Sequence, residues 1–319
     1  MTDLVCGILC LAISFIRNDS WMIGALIFAN IVQAIAFAFS RPANKAIITE
    51  LVEKDELVLY NSRLELVMQV VSVSSPVLSF LVLQFASLRI TLVLDALSFF
   101  LAFGLVALLP KKEEKTMGEK KLTFRVIFSD IKEEVRYIVK QKEIFFLLVM
   151  ASSVNFFFAA FNYLLPFSNQ LYGVQGAYAT ILIMGAIGSI VGALLASKIK
   201  ASMEKLLLLL ALTGLGVMIM GFNLPSYLAF SGNFICELFM TMFNIHFFTQ
   251  VQTKVEGEYL GRVLSSIYTL AILFMPIATG LMTWLSSVHL YSFLIIGLGV
   301  VVLSFLALGY IRTHFEKET

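Results

Sequence analysis

Glu237 stands about halfway along the apolar run Ser226–Thr249, between Ile235-Cys236 and Leu238-Phe239. A charge at the centre of a bilayer costs roughly 2.5–3.5 kcal/mol on insertion scales, so a carboxylate there calls for a functional or structural reason. Asn233 lies four residues earlier and shares its helical face, with Asn244 and Gln250 further along the same helix. Two kinds of chemistry suit the pair. The carboxylate could bind a cationic substrate or carry a coupling proton, or both side chains could clamp a neighbouring helix.

Other polar groups sit in equally apolar settings. Phe156, Phe157, Phe158, Phe161 and Tyr163 surround Asn155 and Asn162. Aromatic rings with occasional amides make an adaptable wall for bulky lipophilic compounds, although phenylalanine facing lipid reads the same way. Gln33 and Gln69 are open to both interpretations. Asp95 follows Arg89 by six residues near the start of its run and reads as a partner for a neighbouring helix or its own helix end. Arg63 and Glu65 read as a surface ion pair, and Asp3 as a group that holds an adjacent loop. Gly185, Gly188 and Gly192 recur at small-residue spacing, which predicts close helix contact.

Enzymatic chemistry finds little support. His246, His289 and His314 form no metal-ligand pair, and neither a Gly-x-Ser-x-Gly elbow nor a phosphate-cradling glycine loop occurs. No cofactor or metal is expected. Cys6, Cys10 and Cys236 are odd in number, lie inside apolar runs and read as packing residues.

The elements that must position these groups are membrane helices. Of the 319 residues 59% are hydrophobic and only 14% charged, and mean hydropathy is +0.91. Soluble domains run at about 45–50% apolar and about 25% charged, so a soluble, disordered or nucleic-acid-binding chain is excluded. Ile144–Ser197, Leu206–Cys236 and Val263–Ile311 contain no Asp, Glu, Lys or Arg. In lipid every backbone polar group must be satisfied within its own segment, and these runs lack the alternation of barrel strands. Helical spans are therefore expected at 3–16, 21–40, 64–86, 90–109, 144–166, 176–197, 205–222, 226–249, 263–285 and 289–311, with a polar connection at 41–63.

Basic residues orient this plan. With a cytoplasmic N-terminus, the loops on the inside hold 21 of the 23 Lys and Arg residues, leaving Arg17 and Arg89 outside. Both termini are expected in the cytoplasm. The charged connection 110–143 separates four helices (1–109) from six (144–319). Within it Phe124, Ile127, Phe128, Ile131, Val135, Ile138 and Val139 mark an amphipathic helix at the membrane surface. Interleaved Glu113, Glu114, Glu119, Glu133 and Glu134 argue against nucleic acid as the partner of its lysines.

An internal comparison accounts for four plus six. Arg41-Pro42-Ala43-Asn44-Lys45, then Arg63 and Ser75-Pro76, parallel Gln250–Lys254, then Gly261-Arg262 and Met275-Pro276. The two prolines are 200 residues apart, and each sits in the last helix but one of its half. Parallel six-helix repeats are a known transporter plan, and under it the chain lacks the first two helices of repeat one.

The sequence resembles the major facilitator superfamily, in its macrolide-efflux and enterobactin-exporter-like branch. The resemblance is carried by Arg41-Pro42-Ala43-Asn44-Lys45-Ala46-Ile47-Ile48, Asn61, Asp95-Ala96-Leu97-Ser98-Phe99, Leu260-Gly261-Arg262-Val263 and the opening Asp3-Leu4-Val5. It covers essentially the whole chain. It implies an all-α polytopic membrane protein, an incomplete major facilitator fold of about ten transmembrane helices. The family's glycine-aspartate-arginine loop is absent, and Ser75-Pro76 stands where exporters carry Gly-Pro.

The resemblance further implies a secondary transporter in the plasma membrane, exporting hydrophobic drug-like, macrolide-type compounds by alternating access, with a proton as coupling ion. The alternative is a truncated, inactive or structural fragment of such a transporter. Expected partners are the lipid bilayer, a lipophilic small molecule and the proton. Glu237, Asn233, Asn155, Asn162, Phe158, Gln69 and Gln33 are the candidates for substrate or ion binding. Asp95, Arg41, Pro42, Asn61, Pro76, Gly261, Arg262 and Pro276 are the candidates for structural or gating roles.

Overall fold

The computed structural model describes residues 2–85, 87–108, 136, 138–200, 202–285 and 288–314. Ten helices organise them: α1 (Thr2–Ser14), α2 (Asp19–Leu51), α3 (Leu57–Phe85), α4 (Leu88–Ala107), α5 (Lys142–Leu164), α6 (Ala177–Ala196), α7 (Met203–Gly221), α8 (Ser226–Lys254), α9 (Gly257–Trp284) and α10 (Leu290–His314). A 3-10 turn and the short helix Ser168–Tyr172 prolong α5. No strand occurs among the described residues.

Local signals set several helix starts. Ser87 and Ser202 cap α4 and α7 by accepting from the backbone N–H of Ile90 and Lys205. Before α6 the chain reverses through Gly173 and Gly176, whose φ angles of 65° and 82° favour residues without a Cβ.

Eight segments among the described residues are long and apolar enough to cross a membrane: Trp21–Thr49, Leu88–Ala107, Lys142–Tyr172, Ala177–Ala196, Met203–Gly221, Ser226–Lys254, Tyr259–Trp284 and Leu290–Thr313. The first expected span is too short for this. With 13 residues, α1 extends about 20 Å against a hydrocarbon core of about 30 Å.

The expected polar connection at 41–63 is mostly helix. α2 continues through Arg41, Pro42, Ala43, Asn44 and Lys45 to Leu51, and the true connection spans 52–56. Likewise Gln250–Lys254 close α8, and Gly261 and Arg262 lie inside α9. Charged residues mark where a helix can leave lipid, but its backbone hydrogen bonds are as well satisfied beyond that point. The amphipathic stretch 124–142 falls largely outside the described residues.

The expected repeat has a counterpart in the helices. Pro76 is the twentieth residue of α3, and Pro276 is the twentieth of α9.

The chain forms two compact units. One contains α1, α2 up to Lys45, α3 from Ser74, and α4. The other contains the end of α2 from Ala46, α3 up to Val73, and α5 to α10. The segment 46–73 thus clusters with the helices that follow residue 136.

In the first unit α1 packs on α4, where Ile13, Met22, Ala29 and Leu92 form a small core and Phe100 lies against Gly7. In the second, neighbours run in the order α6, α8, α7, α10, α5, α9. Lipid is as apolar as leucine, so these contacts depend on close packing at small residues rather than on water exclusion. Gly216 meets Gly232 between α7 and α8, and Gly214 meets Gly297 between α7 and α10.

Many polar side chains in the spans are satisfied by their own helix. Ser152, Ser153, Thr213 and Ser304 each donate to the carbonyl four residues back, at 2.7–3.0 Å. Cys6, Cys10 and Cys236 are free and buried.

Candidate functional site

α6 and α8 bring together the polar group that the sequence marks most strongly. Along α6, Gly185, Gly188 and Gly192 present bare backbone to α8. A Cβ on Gly188 would overlap the Phe234 carbonyl, and one on Gly192 the Leu238 carbonyl. At Gly185 the space is taken instead by Asn233 and Glu237. The small-residue stripe is thus a close interface, as its spacing predicts, and it draws two polar residues of α8 against α6.

Asn233 is 2% exposed and donates through Nδ2 to the Ile181 carbonyl at 2.7 Å, while its Oδ1 has no hydrogen-bond partner. One turn on, Glu237 is half-buried and accepts from the Ser189 hydroxyl at 3.4 Å. Glu237 therefore has only a long, weak anchor for a carboxylate, and Asn233 keeps an unused acceptor beside it. Such a pair can hold a proton or a cation, and it also ties two helices together.

Most other candidates do not join this cluster. Asn155 donates to its own helix at Ala151, and Asn162 is exposed. Phe158 and Phe161 pack together in the core, with Phe161 edge-on to Phe293 of α10. Gln69 donates to Glu65 at 2.9 Å along α3, and Gln33 donates to the Cys10 sulfur at 3.6 Å. Asp95 is exposed on α4. Arg41 lies over the Phe37 ring on α2, Pro42 is buried, Arg262 is half-buried and Pro276 is exposed.

Phe156 and Phe157 do line an opening. With Phe145, Leu148, Leu270 and Phe274 they help to wall a cavity of about 490 Å³ on α5, α9 and α10. Ser152 and Ser153 reach the same wall, but their hydroxyl protons are committed to backbone carbonyls, so the surface is apolar in effect. Volumes of about 300–1,000 Å³ are usual for small-molecule sites.

Sequence reasoning misses three kinds of group. Ser189, the partner of Glu237, is 48 residues away, and only its place on the glycine face could have pointed to it. His246 lies inside α8 rather than at a helix end, 1% exposed, with neither ring nitrogen hydrogen-bonded. Thr249 and Gln252, unmarked in the sequence, hold the candidate Asn61 in a second buried polar contact. Among the described residues no group of three or more His, Cys, Asp or Glu could hold a metal ion.

Comparison with known proteins supplies the family. The model of the Major Facilitator Superfamily matches residues 3–279. Macrolide efflux protein A of Enterococcus faecalis is 25% identical over 285 residues, 85% of this chain and 84% of that protein. Its namesake in Streptococcus pyogenes is also 25% identical over 285 residues, 67% of its length. Among solved structures, a bacterial homologue of the iron transporter ferroportin in its outward-facing state has a TM-score of 0.70 at 15% identity, covering 98% of this chain and 80% of that one. The Escherichia coli fucose:proton symporter has a TM-score of 0.64 at 18% identity, covering 96% and 82%. Helices built to cross lipid, a family match over most of the length and a shared fold give one conclusion: this chain belongs to the Major Facilitator Superfamily and is a membrane transporter, not an enzyme.

Proposed function

We propose that the protein is a secondary active exporter of hydrophobic, macrolide-type compounds in the plasma membrane, driven by proton exchange, with both chain ends on the cytoplasmic side. The observation that carries the coupling is Glu237, a carboxylate near the middle of a 29-residue span, held only by Ser189 and flanked by the unused acceptor of Asn233. Protonation removes the cost of a charge at that depth and deprotonation restores it, so the group can follow a proton gradient. The relatives named for macrolide efflux and the aromatic cavity on α5, α9 and α10 support a bulky lipophilic cargo. The basic ends of successive helices, at Lys54, Lys142, Lys198, Lys254 and Arg312, support the orientation.

Inside-out membrane vesicles test the reading. On imposing an inward-acid proton gradient, vesicles carrying the protein should accumulate labelled erythromycin above vesicles without it, and collapsing the gradient should release it. No gradient-dependent accumulation of erythromycin or of a lipophilic cation such as ethidium would overturn the proposal. Glu237→Gln keeps an acceptor for Ser189 but cannot ionise, and should reduce accumulation to the level of control vesicles. Unchanged accumulation would make Glu237 a clamp between α6 and α8.

A further inference from the structure

α9 and α10 both pack on α5 but scarcely on each other, so the apolar cavity is a groove between them with α5 as its floor. Its open side shows Phe145, Val149, Phe274 and Ile277, all exposed. With the Ser152 and Ser153 hydroxyls committed to backbone, that opening suits hydrocarbon rather than water. The floor runs from Phe145 to Phe157, about 18 Å of helix, close to the roughly 15 Å of hydrocarbon in one leaflet. At the far end Phe157 lies on Gly299 of α10, where an added Cβ would overlap its ring. The near end is basic. Lys142 opens α5 three residues before Phe145, on the helical face that continues through Val149, Ser152 and Phe156. Lys140 and Arg136 are exposed just before it. Glu143, the only acid among the described residues 136 and 138–145, is engaged by Lys254 of α8. Tyr310 of α10 stacks on Phe146 with ring centroids 6.0 Å apart, placing at this level an aromatic of the kind that seeks the headgroup layer.

We propose that this groove holds one acyl chain of an anionic phospholipid of the cytoplasmic leaflet, with the phosphate of its headgroup at Lys142 and Lys140. The site goes beyond transport and takes from the reading above only the cytoplasmic placement of the basic helix ends. Length, wall chemistry and charge select the same occupant. An extended chain entering at Phe145 follows the groove and stops at Phe157, near the depth where its leaflet ends. Over the convex surface of a helix a lipid tail touches protein on one side only. In the groove it meets side chains of three helices and gains dispersion contacts along most of its length. At the mouth, cations attract an anionic headgroup, whereas a zwitterionic one brings its own positive charge to the lysines. A lipophilic cargo suits the walls as well, but lysines at the entrance favour an anion over a cation.

Native mass spectrometry of the detergent-purified protein reads the site directly. Offered equal amounts of phosphatidylglycerol and phosphatidylcholine with the same acyl chains, the protein should retain the first several-fold over the second. Phosphatidylglycerol should also raise the Tm more than phosphatidylcholine does. Lys140→Gln with Lys142→Gln should abolish the preference while leaving weak binding of both lipids. Ser153→Trp fills the groove from its floor and should remove binding of either. Val149→Trp does the same one turn nearer the cytoplasm, and decides the matter if Ser153→Trp fails to fold. Phosphatidylglycerol carrying a diazirine near the end of its acyl chain should label α5 between Ser152 and Phe157, as mapped by peptide mass spectrometry. Equal retention of the two lipids by the parent would overturn the proposal, as would unchanged retention in a folded groove-filling variant. Displacement of the lipid by erythromycin would also overturn it, by making the groove part of the cargo path. None of these measurements needs transport, so the lipid site stands or falls separately from the efflux reading.

Discussion

α8 meets two neighbours in opposite ways. Against α6 the contact is backbone on backbone at Gly188 and Gly192, while the side chains of Asn233 and Glu237 lie against Gly185. Against α3 it includes a buried bridge of amide and hydroxyl groups near the helix end, where Leu57 is fully buried and Val58 and Leu66 pack on the core. The first arrangement resists separation because every atom of the interface is shaped to the other helix. The second is strong only while water stays out. One helix thus presents a glycine-fitted face on one side and a polar bridge on the other.

The contrast predicts a graded set of effects. Gly188→Leu should be the most damaging, because the Phe234 carbonyl occupies the space its side chain needs. Overpacking of this kind costs about 3 kcal/mol. The measurement is thermal unfolding in detergent, and a Tm equal to that of the parent would break the claim that this face is closely fitted. Asn233→Ala should cost less, about 1 kcal/mol, since it removes one hydrogen bond across the same interface and leaves the glycines in place. A loss as large as that of Gly188→Leu would shift the weight of the interface from backbone contact to the amide. Smallest is Lys254→Ala, which removes a partly exposed ion pair with Glu143 between the ends of α8 and α5. About 0.5 kcal/mol or less is expected, falling further as salt is added, and the same unfolding assay at two ionic strengths checks it.

Much of this architecture could be read from the chain because lipid imposes severe rules. Long uncharged runs must be helices, and the expected spans 144–166, 176–197 and 205–222 lie within two residues of α5, α6 and α7 at each end. Failures came where the rule concerns lipid and the structure does not. Arg41–Lys45 and Gln250–Lys254 are polar and lie outside the expected spans 21–40 and 226–249, yet the helices run through them.

The candidate site was legible to the extent that it follows helical spacing. Asn233 and Glu237, four apart, do share a face, and the glycine stripe does pack closely. What spacing cannot give is the partner across an interface. Ser189 is remote from Glu237 in the chain, and Gln252 is 191 residues from Asn61. The aromatic group around Asn155 illustrates the same limit. Its members look alike in sequence, but Phe158 and Phe161 turn into the core while Phe156 and Phe157 face the cavity.

The hydroxyls that bond their own helices bear on how such a protein is made. α5 enters lipid with Ser152, Ser153 and Asn155 already quenched by the turn beneath them, and needs no companion. α8 differs, since Asn233 and Glu237 find their partners only on α6, at Ile181 and Ser189. The ribosome delivers α6 first. When α8 emerges, its counterpart already stands in the bilayer, and the order of translation spares the chain a stage in which a bare carboxylate would have to face hydrocarbon.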